Sequence, residues 1–230
     1  MNLPNAVTAA RIAVTPLIAW LPLAPSSTLR FTAFTLFVVA AVTDYVDGRL
    51  ARSRKQETDL GRLLDPLADK LLLVGTFIPM FILMRPSAHG EESMTSRILA
   101  NVMPFHTPFG DVSLTWWILA IVLGREAFMT IFRQAAARRG VVIAAIGPAK
   151  WKTTFQWIWV GAAYFWFFAA TLGVARHWAD APGWWLFANF NGLVGVTAMI
   201  GAVALTLYSL ALYLRSYGRV FTGTPVRGRS

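Results

Sequence analysis

Four aspartates, Asp44, Asp47, Asp65 and Asp69, stand where two apolar segments run into polar sequence, and their type and spacing could do chemistry. Asp44, Asp47, Gly48, Ala51 and Arg52 are spaced i, i+3, i+4, i+7 and i+8, which is one face of a helix. Gly61, Asp65 and Asp69 are spaced i, i+4 and i+8, again one face. An ionised aspartate at the centre of a membrane helix costs about 2.5–3.5 kcal/mol, and less near the interface, so four of them must meet a polar cavity, cations or metal. Clustered carboxylates in a low-dielectric site cannot all stay ionised without countercharge. Hard divalent cations supply it, and Mg2+ takes carboxylate oxygens together with substrate phosphates and water. Enough carboxylates for two ions, with basic residues beside them, point to phosphoryl-type transfer. The plainer alternative pairs the same acids with Arg49, Arg52 and Lys70 as helix-end salt bridges; four acids on two matched faces beside small residues fit it poorly. Gly48, Ala51, Gly61 and Ala68 let a ligand or another helix approach closely.

The elements that must position these residues are membrane helices. Hydrophobic residues make up 56% of the 230 and charged residues 14%, with a mean hydropathy of +0.53. A soluble domain carries about 45–50% and about 25%. So apolar a chain is not disordered. Zero Cys excludes a disulfide scaffold, a thiolate metal site and a Cys nucleophile. The net charge of +10 fits contact with anionic lipid headgroups in a chain of this hydropathy, rather than nucleic acid.

Six segments approach the about 20 apolar residues a span needs: Val7–Leu23, Phe31–Val46, Leu64–Met84, Leu114–Phe132, Phe155–Val174 and Phe190–Leu214. The first two are the weakest, because one contains Arg11 and the other runs into Asp44. No basic stretch or cleavage site marks the first as a signal peptide. Asn5 and Thr8 suit the capping of an N-terminal juxtamembrane helix. Lys and Arg gather between spans two and three, between four and five, and after span six, which places those loops and both termini in the cytoplasm. The expectation is an all-α integral membrane protein of the inner membrane, with a membrane domain over residues 1–216 and a basic tail over 217–230. A short loop makes spans two and three antiparallel neighbours, with both carboxylate pairs at the cytoplasmic end. Pro66 is tolerated if the third helix starts close to it. Trp116–Trp117 and Trp184–Trp185 suit an outer aromatic belt. Arg85–Val112 reads as a polar outer loop with room for an interfacial helix, and His89, His106 and His177 as solvated outer-loop residues.

The segment Asp44-Tyr-Val-Asp47-Gly48-Arg-Leu-Ala51-Arg52, followed after eight residues by Gly61, Asp65 and Asp69, resembles the D-x2-D-G-x2-A-R … G-x3-D-x3-D signature of the CDP-alcohol phosphotransferases, with every fixed position present. Within that family the chain is most similar to the phosphatidylglycerophosphate synthases, through Asn2-Leu-Pro4-Asn5-x2-Thr8-x2-Arg11, Gly124-Arg125-Glu126 and Pro148-Ala-Lys150-Trp-Lys152-Thr153-x2-Gln156.

The resemblance implies a six-helix, homodimeric membrane fold with a polar cavity open to the cytoplasm. It implies that Asp44, Asp47, Asp65 and Asp69 hold two Mg2+ or Mn2+ ions, and that Asp69 is the general base for the attacking hydroxyl. Asn5, Thr8, Gly48, Ala51, Arg52 and Gly61 then bind the CDP-lipid, with Arg52 and the metals offsetting charge on the pyrophosphate. The implied partners are CDP-diacylglycerol, glycerol 3-phosphate and the bilayer. Arg125, Arg133, Lys150 and Lys152 are suited in type to the acceptor phosphate; Arg125, if buried, needs an anionic partner or substrate, and Glu126 is adjacent. Two other readings stay open: the same reaction with another acceptor (phosphatidylglycerol, giving cardiolipin, or inositol phosphate), and a divalent-cation transporter. Carboxylates at one membrane end rather than the midplane argue against transport.

Overall fold

Helices form where the apolar runs call for them. The computed structural model describes residues 3–54, 59–86, 93–143, 147–178 and 181–217, with only the backbone described for residues 3–4, 45–54, 59–63 and 148–150. In chain order come α1 (Leu3–Trp20), a short turn of tighter helix (Leu21–Leu23), α2 (Ser27–Arg54), α3 (Asp59–Leu83), α4 (Met94–Leu99), strands β1 (Phe105–Thr107) and β2 (Gly110–Val112), α5 (Trp116–Ala137), α6 (Gly147–Ala175) and α7 (Pro182–Tyr217). Among the described residues, five stretches are long and apolar enough to cross a membrane: Asn5–Leu23, Ser27–Asp44, Leu64–Leu83, Trp151–Ala175 and Pro182–Tyr217. The protein is therefore a mainly helical, multi-pass membrane protein.

Two expectations need correction, and a third is met only in part. The fourth expected span is a helix, α5, whose 22 residues reach roughly 33 Å at 1.5 Å per residue. Arg125, Glu126 and Arg133 place three charges in any long stretch of it, however, so it does not join the five on composition. A separate juxtamembrane helix is not formed either. No break divides the polar opening from the apolar run, so α1 continues from Leu3 to Trp20 with Asn5 and Thr8 buried inside it. Pro66 lies well inside α3, which starts at Asp59, rather than in its first turn.

The chain divides into two compact units whose boundaries fall just before α5 and within α6 and α7. The first, Met1–Leu114 with Val160–Val196, contains α1 packed against both α2 and α3. An aromatic ladder joins α2 to α6: Phe31 meets Phe168, Phe34 meets Phe165 and Phe37 meets Tyr164, with ring centroids 4.9, 5.4 and 5.6 Å apart. The opposite numbering along the ladder makes the two helices antiparallel. Arg30 is fully buried at the start of α2 and donates to the Pro22 carbonyl at 2.9 Å and to Thr171 and Asn101, tying the α1–α2 turn to α6.

The described part of the loop between α3 and α5 is more structured than its polarity suggested. Ser93 caps α4 by accepting from the Ser96 amide at 3.1 Å. The antiparallel hairpin pairs Phe105 with Val112, His106 with Asp111 and Thr107 with Gly110, whose φ of 117° favours glycine. Gly192 and Gly195 on α7 leave room for it, since a Cβ there would strike the His106 backbone and the Phe105 ring. His106 is not a free loop residue: its Nδ1 lies 2.8 Å from Asp111, which also pairs with Arg97. Trp116, Trp117 and Trp185 are exposed as a belt requires, whereas Trp184 is buried against Trp166 at 6.1 Å between centroids.

The second unit, Thr115–Trp159 with Thr197–Ser230, is built on α5. Ile118, Val122, Arg125, Met129, Phe132 and Ala136 form its buried stripe at helical spacing. Met129 and Phe132 pack with Tyr213 of α7, flanked by Ile143, Leu210 and Tyr217.

Candidate active site

The carboxylate site of the first unit is assembled by α1. Asn5, Thr8, Arg11 and Thr15 recur every three to four residues and are all buried, so one face of α1 is polar and turned inward, continued by apolar Ile18. At Gly75 of α3, an added Cβ would lie 2.8 Å from the Thr15 methyl. The missing side chain lets the two helices approach closely there. That approach fixes the register one turn further on. Thr8 Oγ1 donates to Asp65 Oδ1 at 2.8 Å. Arg11 Nη1 contacts Asp44 Oδ1 of α2 at 2.6 Å and Asp69 Oδ1 of α3 at 3.3 Å.

One guanidinium nitrogen thus faces carboxylates from two helices. The Arg11 side chain is 3% exposed, while those of Asp44 and Asp69 are 38% and 59% exposed. A buried guanidinium is stabilised only when charged and polar groups surround it, and these two acids supply countercharge while keeping an open side. Among the described residues, Arg11 is thus a partner common to Asp44 and Asp69. Asn5 lies on the same face of α1 as Thr8. Asp47, Gly48, Ala51 and Arg52 lie on α2 and Gly61 on α3 by their backbone, and their side chains are outside the described residues, as is that of Lys150.

The donor set fits a hard divalent cation, being all carboxylate and hydroxyl oxygen. Asp44 and Asp69 each place an oxygen within 3.3 Å of the same cationic nitrogen, so these two acids already share one positive group. Among the described residues no set of three His, Cys, Asp or Glu side chains is close enough to hold a metal; Asp47, the remaining acid of the group, lies outside the described side chains.

A second charged group lies in the second unit. Arg125 Nη1 donates to Glu126 at 2.9 Å and Nη2 to Ser209 Oγ at 3.0 Å. Lys152 of α6 pairs with the same Glu126 oxygen. Both cationic side chains are 6% exposed, against 27% for Glu126. The Tyr213 ring lies 5.9 Å from the Arg125 guanidinium and 5.7 Å from that of Arg133, within cation–π range. Arg133 also reaches the Tyr213 hydroxyl at 3.4 Å. Three of the four basic residues singled out for an acceptor phosphate, Arg125, Arg133 and Lys152, are thus gathered around Glu126 and Tyr213. One carboxylate against three cations leaves the group positive.

Two residues here were absent from the sequence-derived site. Arg11 stood out as a charge in the first span and as the last position of the N-terminal motif, but was given no site role, although a charge inside an apolar helix is itself a pointer to a polar interior. Its spacing from Thr8 and Asn5 repeats the carboxylate logic on a third helix. Tyr213 carried no signal, because an aromatic residue in an apolar span resembles any packing residue.

The chain is similar to known proteins. The chain matches the CDP-alcohol phosphatidyltransferase family over residues 1–208. It is 28% identical over 228 residues to the Arabidopsis thaliana protein CDP-diacylglycerol--glycerol-3-phosphate 3-phosphatidyltransferase 1, chloroplastic/mitochondrial, an alignment covering 96% of this chain and 64% of that protein. It thus spans just under two thirds of that relative's length. Proteins named CDP-diacylglycerol--glycerol-3-phosphate 3-phosphatidyltransferase from Bacillus subtilis and Pseudomonas fluorescens are 32% and 27% identical. Those alignments cover 70% and 94% of this chain, and 75% and 90% of the respective relatives. With the aspartate signature complete and the family match running into α7, the chain belongs to the CDP-alcohol phosphatidyltransferase family.

Proposed function

We propose that this protein transfers the phosphatidyl group of CDP-diacylglycerol to glycerol 3-phosphate, forming phosphatidylglycerol phosphate and CMP. The observation that carries the reading is the meeting of Asp44 from α2 and Asp69 from α3 on Arg11, with Asp65 held by Thr8 beside them. The names of the relatives support the choice of donor and acceptor.

Asp44, Asp47, Asp65 and Asp69 hold divalent metal in this reading, Mg2+ or Mn2+ and two ions. When bound, the metal offsets negative charge on the pyrophosphate. Asp69 accepts the proton of the acceptor hydroxyl as that oxygen bonds to the phosphorus bearing diacylglycerol. The bond from that phosphorus to the oxygen of CMP breaks, and CMP leaves with the electron pair. Arg52 neutralises the leaving nucleotide phosphate. Gly48, Ala51 and Gly61 keep space for the cytidine, while Asn5 and Thr8 orient the CDP-lipid. Arg125, Arg133, Lys150 and Lys152 bind the acceptor phosphate, for which the excess positive charge around Glu126 is suited.

The same reading takes α5 as a sixth span. The Glu126 pairing with Arg125 and Lys152 lowers the cost of its charges in the bilayer, and the remaining residues of its buried stripe are apolar. Six spans place both termini in the cytoplasm, as the loop charges require, with residues 1–216 as one membrane domain, residues 217–230 as a basic tail and the chain as a homodimer. A panel of acceptor alcohols offered with radiolabelled CDP-diacylglycerol tests the assignment. Labelled phosphatidylglycerol phosphate from glycerol 3-phosphate, with little product from inositol phosphate or phosphatidylglycerol, is expected. Preference for another alcohol would move the acceptor and leave the reaction class.

A further inference from the structure

We propose that Arg11 is a positioning residue that competes with divalent metal for Asp44 and Asp69, and so sets how tightly the aspartate cluster holds its ions. This rests on the metal-dependent reading of the cluster given above. The guanidinium is almost wholly shielded, and one of its nitrogens is in contact range of an oxygen of each acid. A guanidinium and a hard divalent ion seek the same carboxylate oxygens. Whatever metal takes those oxygens must share them with Arg11 or displace it.

The arrangement also explains why a cation belongs on this face of α1. Asp44 and Asp69 come from different helices, and two carboxylates facing one another without countercharge repel. Arg11 holds them at a common point, and Thr8 holds Asp65 one turn away. Arg11 thus preorganises the carboxylates while weakening their grip on metal. A site that must release and rebind phosphate-bearing substrates with its ions gains from such an intermediate affinity.

The test is thermal unfolding of the full chain in detergent across a Mg2+ titration, for the wild type, Arg11→Gln and Arg11→Lys. Arg11→Gln is expected to lower the unfolding temperature without Mg2+ and to shift the stabilising midpoint to about tenfold lower Mg2+, the order expected when a competing charge-assisted contact is removed. Arg11→Lys, which keeps the charge, is expected to restore a midpoint near that of the wild type. A purely structural Arg11 lowers the unfolding temperature at every Mg2+ concentration and leaves the midpoint unchanged; that result overturns the proposal. Phenylglyoxal labelling of the wild type, mapped to Arg11 by mass spectrometry, gives a reading that does not depend on a folded variant. Labelling is expected to rise as Mg2+ frees the guanidinium, and constant labelling through the stabilising range overturns the proposal. Stabilisation of no variant and no wild type by Mg2+ or Mn2+ instead contradicts the metal reading, and this proposal with it.

Discussion

Arg125 donates to Glu126 at 2.9 Å, although the two are neighbours on one helix and their backbones point to different faces. The pairing is possible because both side chains are long. It turns Glu126 toward the buried stripe of α5, where Lys152 of α6 meets the same oxygen. Two cations sunk to 6% exposure therefore share one anion.

Removing that anion is expected to be costly. Glu126→Gln leaves Arg125 and Lys152 buried and mutually repulsive, and breaking a buried pair typically destabilises by 3–5 kcal/mol. Because Glu126 is 27% exposed, a loss of about 3 kcal/mol, at the lower end, is expected. Thermal unfolding in detergent measures it. An unchanged unfolding temperature would show that the triad contributes nothing to folding.

The α1–α3 approach makes a separate prediction. Gly75→Val places a branched side chain against the Thr15 methyl, 2.8 Å from where even a Cβ would lie. Such overpacking typically costs about 1–3 kcal/mol, and here it pushes Thr8 and Arg11 away from Asp65 and Asp69. Turnover is expected to fall together with the unfolding temperature, whereas Gly124→Ala, where nothing lies within 4 Å of the new methyl, is expected to keep the stability within about 0.5 kcal/mol of the wild type.

Arg125, Arg133, Lys150 and Lys152 are proposed to bind the acceptor phosphate, so their variants should discriminate between substrates. Arg133→Ala and Lys150→Ala are each expected to raise the KM for glycerol 3-phosphate roughly tenfold, the order of one lost charge-assisted hydrogen bond. The KM for CDP-diacylglycerol should change little. Equal effects on both substrates would place these residues outside the acceptor site.

Much of this arrangement was legible in the sequence, because helical periodicity is local. The two aspartate faces follow from residue spacing alone, and the apolar runs mark five helices that can cross a membrane. The partners across helices were less legible. Asp44 and Asp69 are 25 residues apart, and their common contact, Arg11, belongs to a third helix whose register depends on the absence of a side chain at Gly75. The hairpin escaped because three-residue strands carry no usable alternation, and its seat is a pair of glycines on α7 far along the chain. The juxtamembrane helix was expected from polar Asn5 and Thr8. Both lie on the buried face of an unbroken helix, where Thr8 meets Asp65.

Asp69 is the proposed proton acceptor. Asp69→Asn keeps the size and removes the base, so turnover is expected to fall by at least about 100-fold, the usual range for a positioned general base, with nucleotide binding retained. Isothermal titration with a CDP ligand, beside the rate, separates the two effects. Retention of full activity would remove Asp69 from the base role.

The central claim is that these aspartates support metal-dependent transfer from a CDP-lipid. The most direct measurement is CMP release by the purified protein given CDP-diacylglycerol and glycerol 3-phosphate, with and without Mg2+. Release that requires both Mg2+ and the acceptor, and that stops on chelation, is the predicted result. Absence of CMP with every alcohol and metal tried would contradict it.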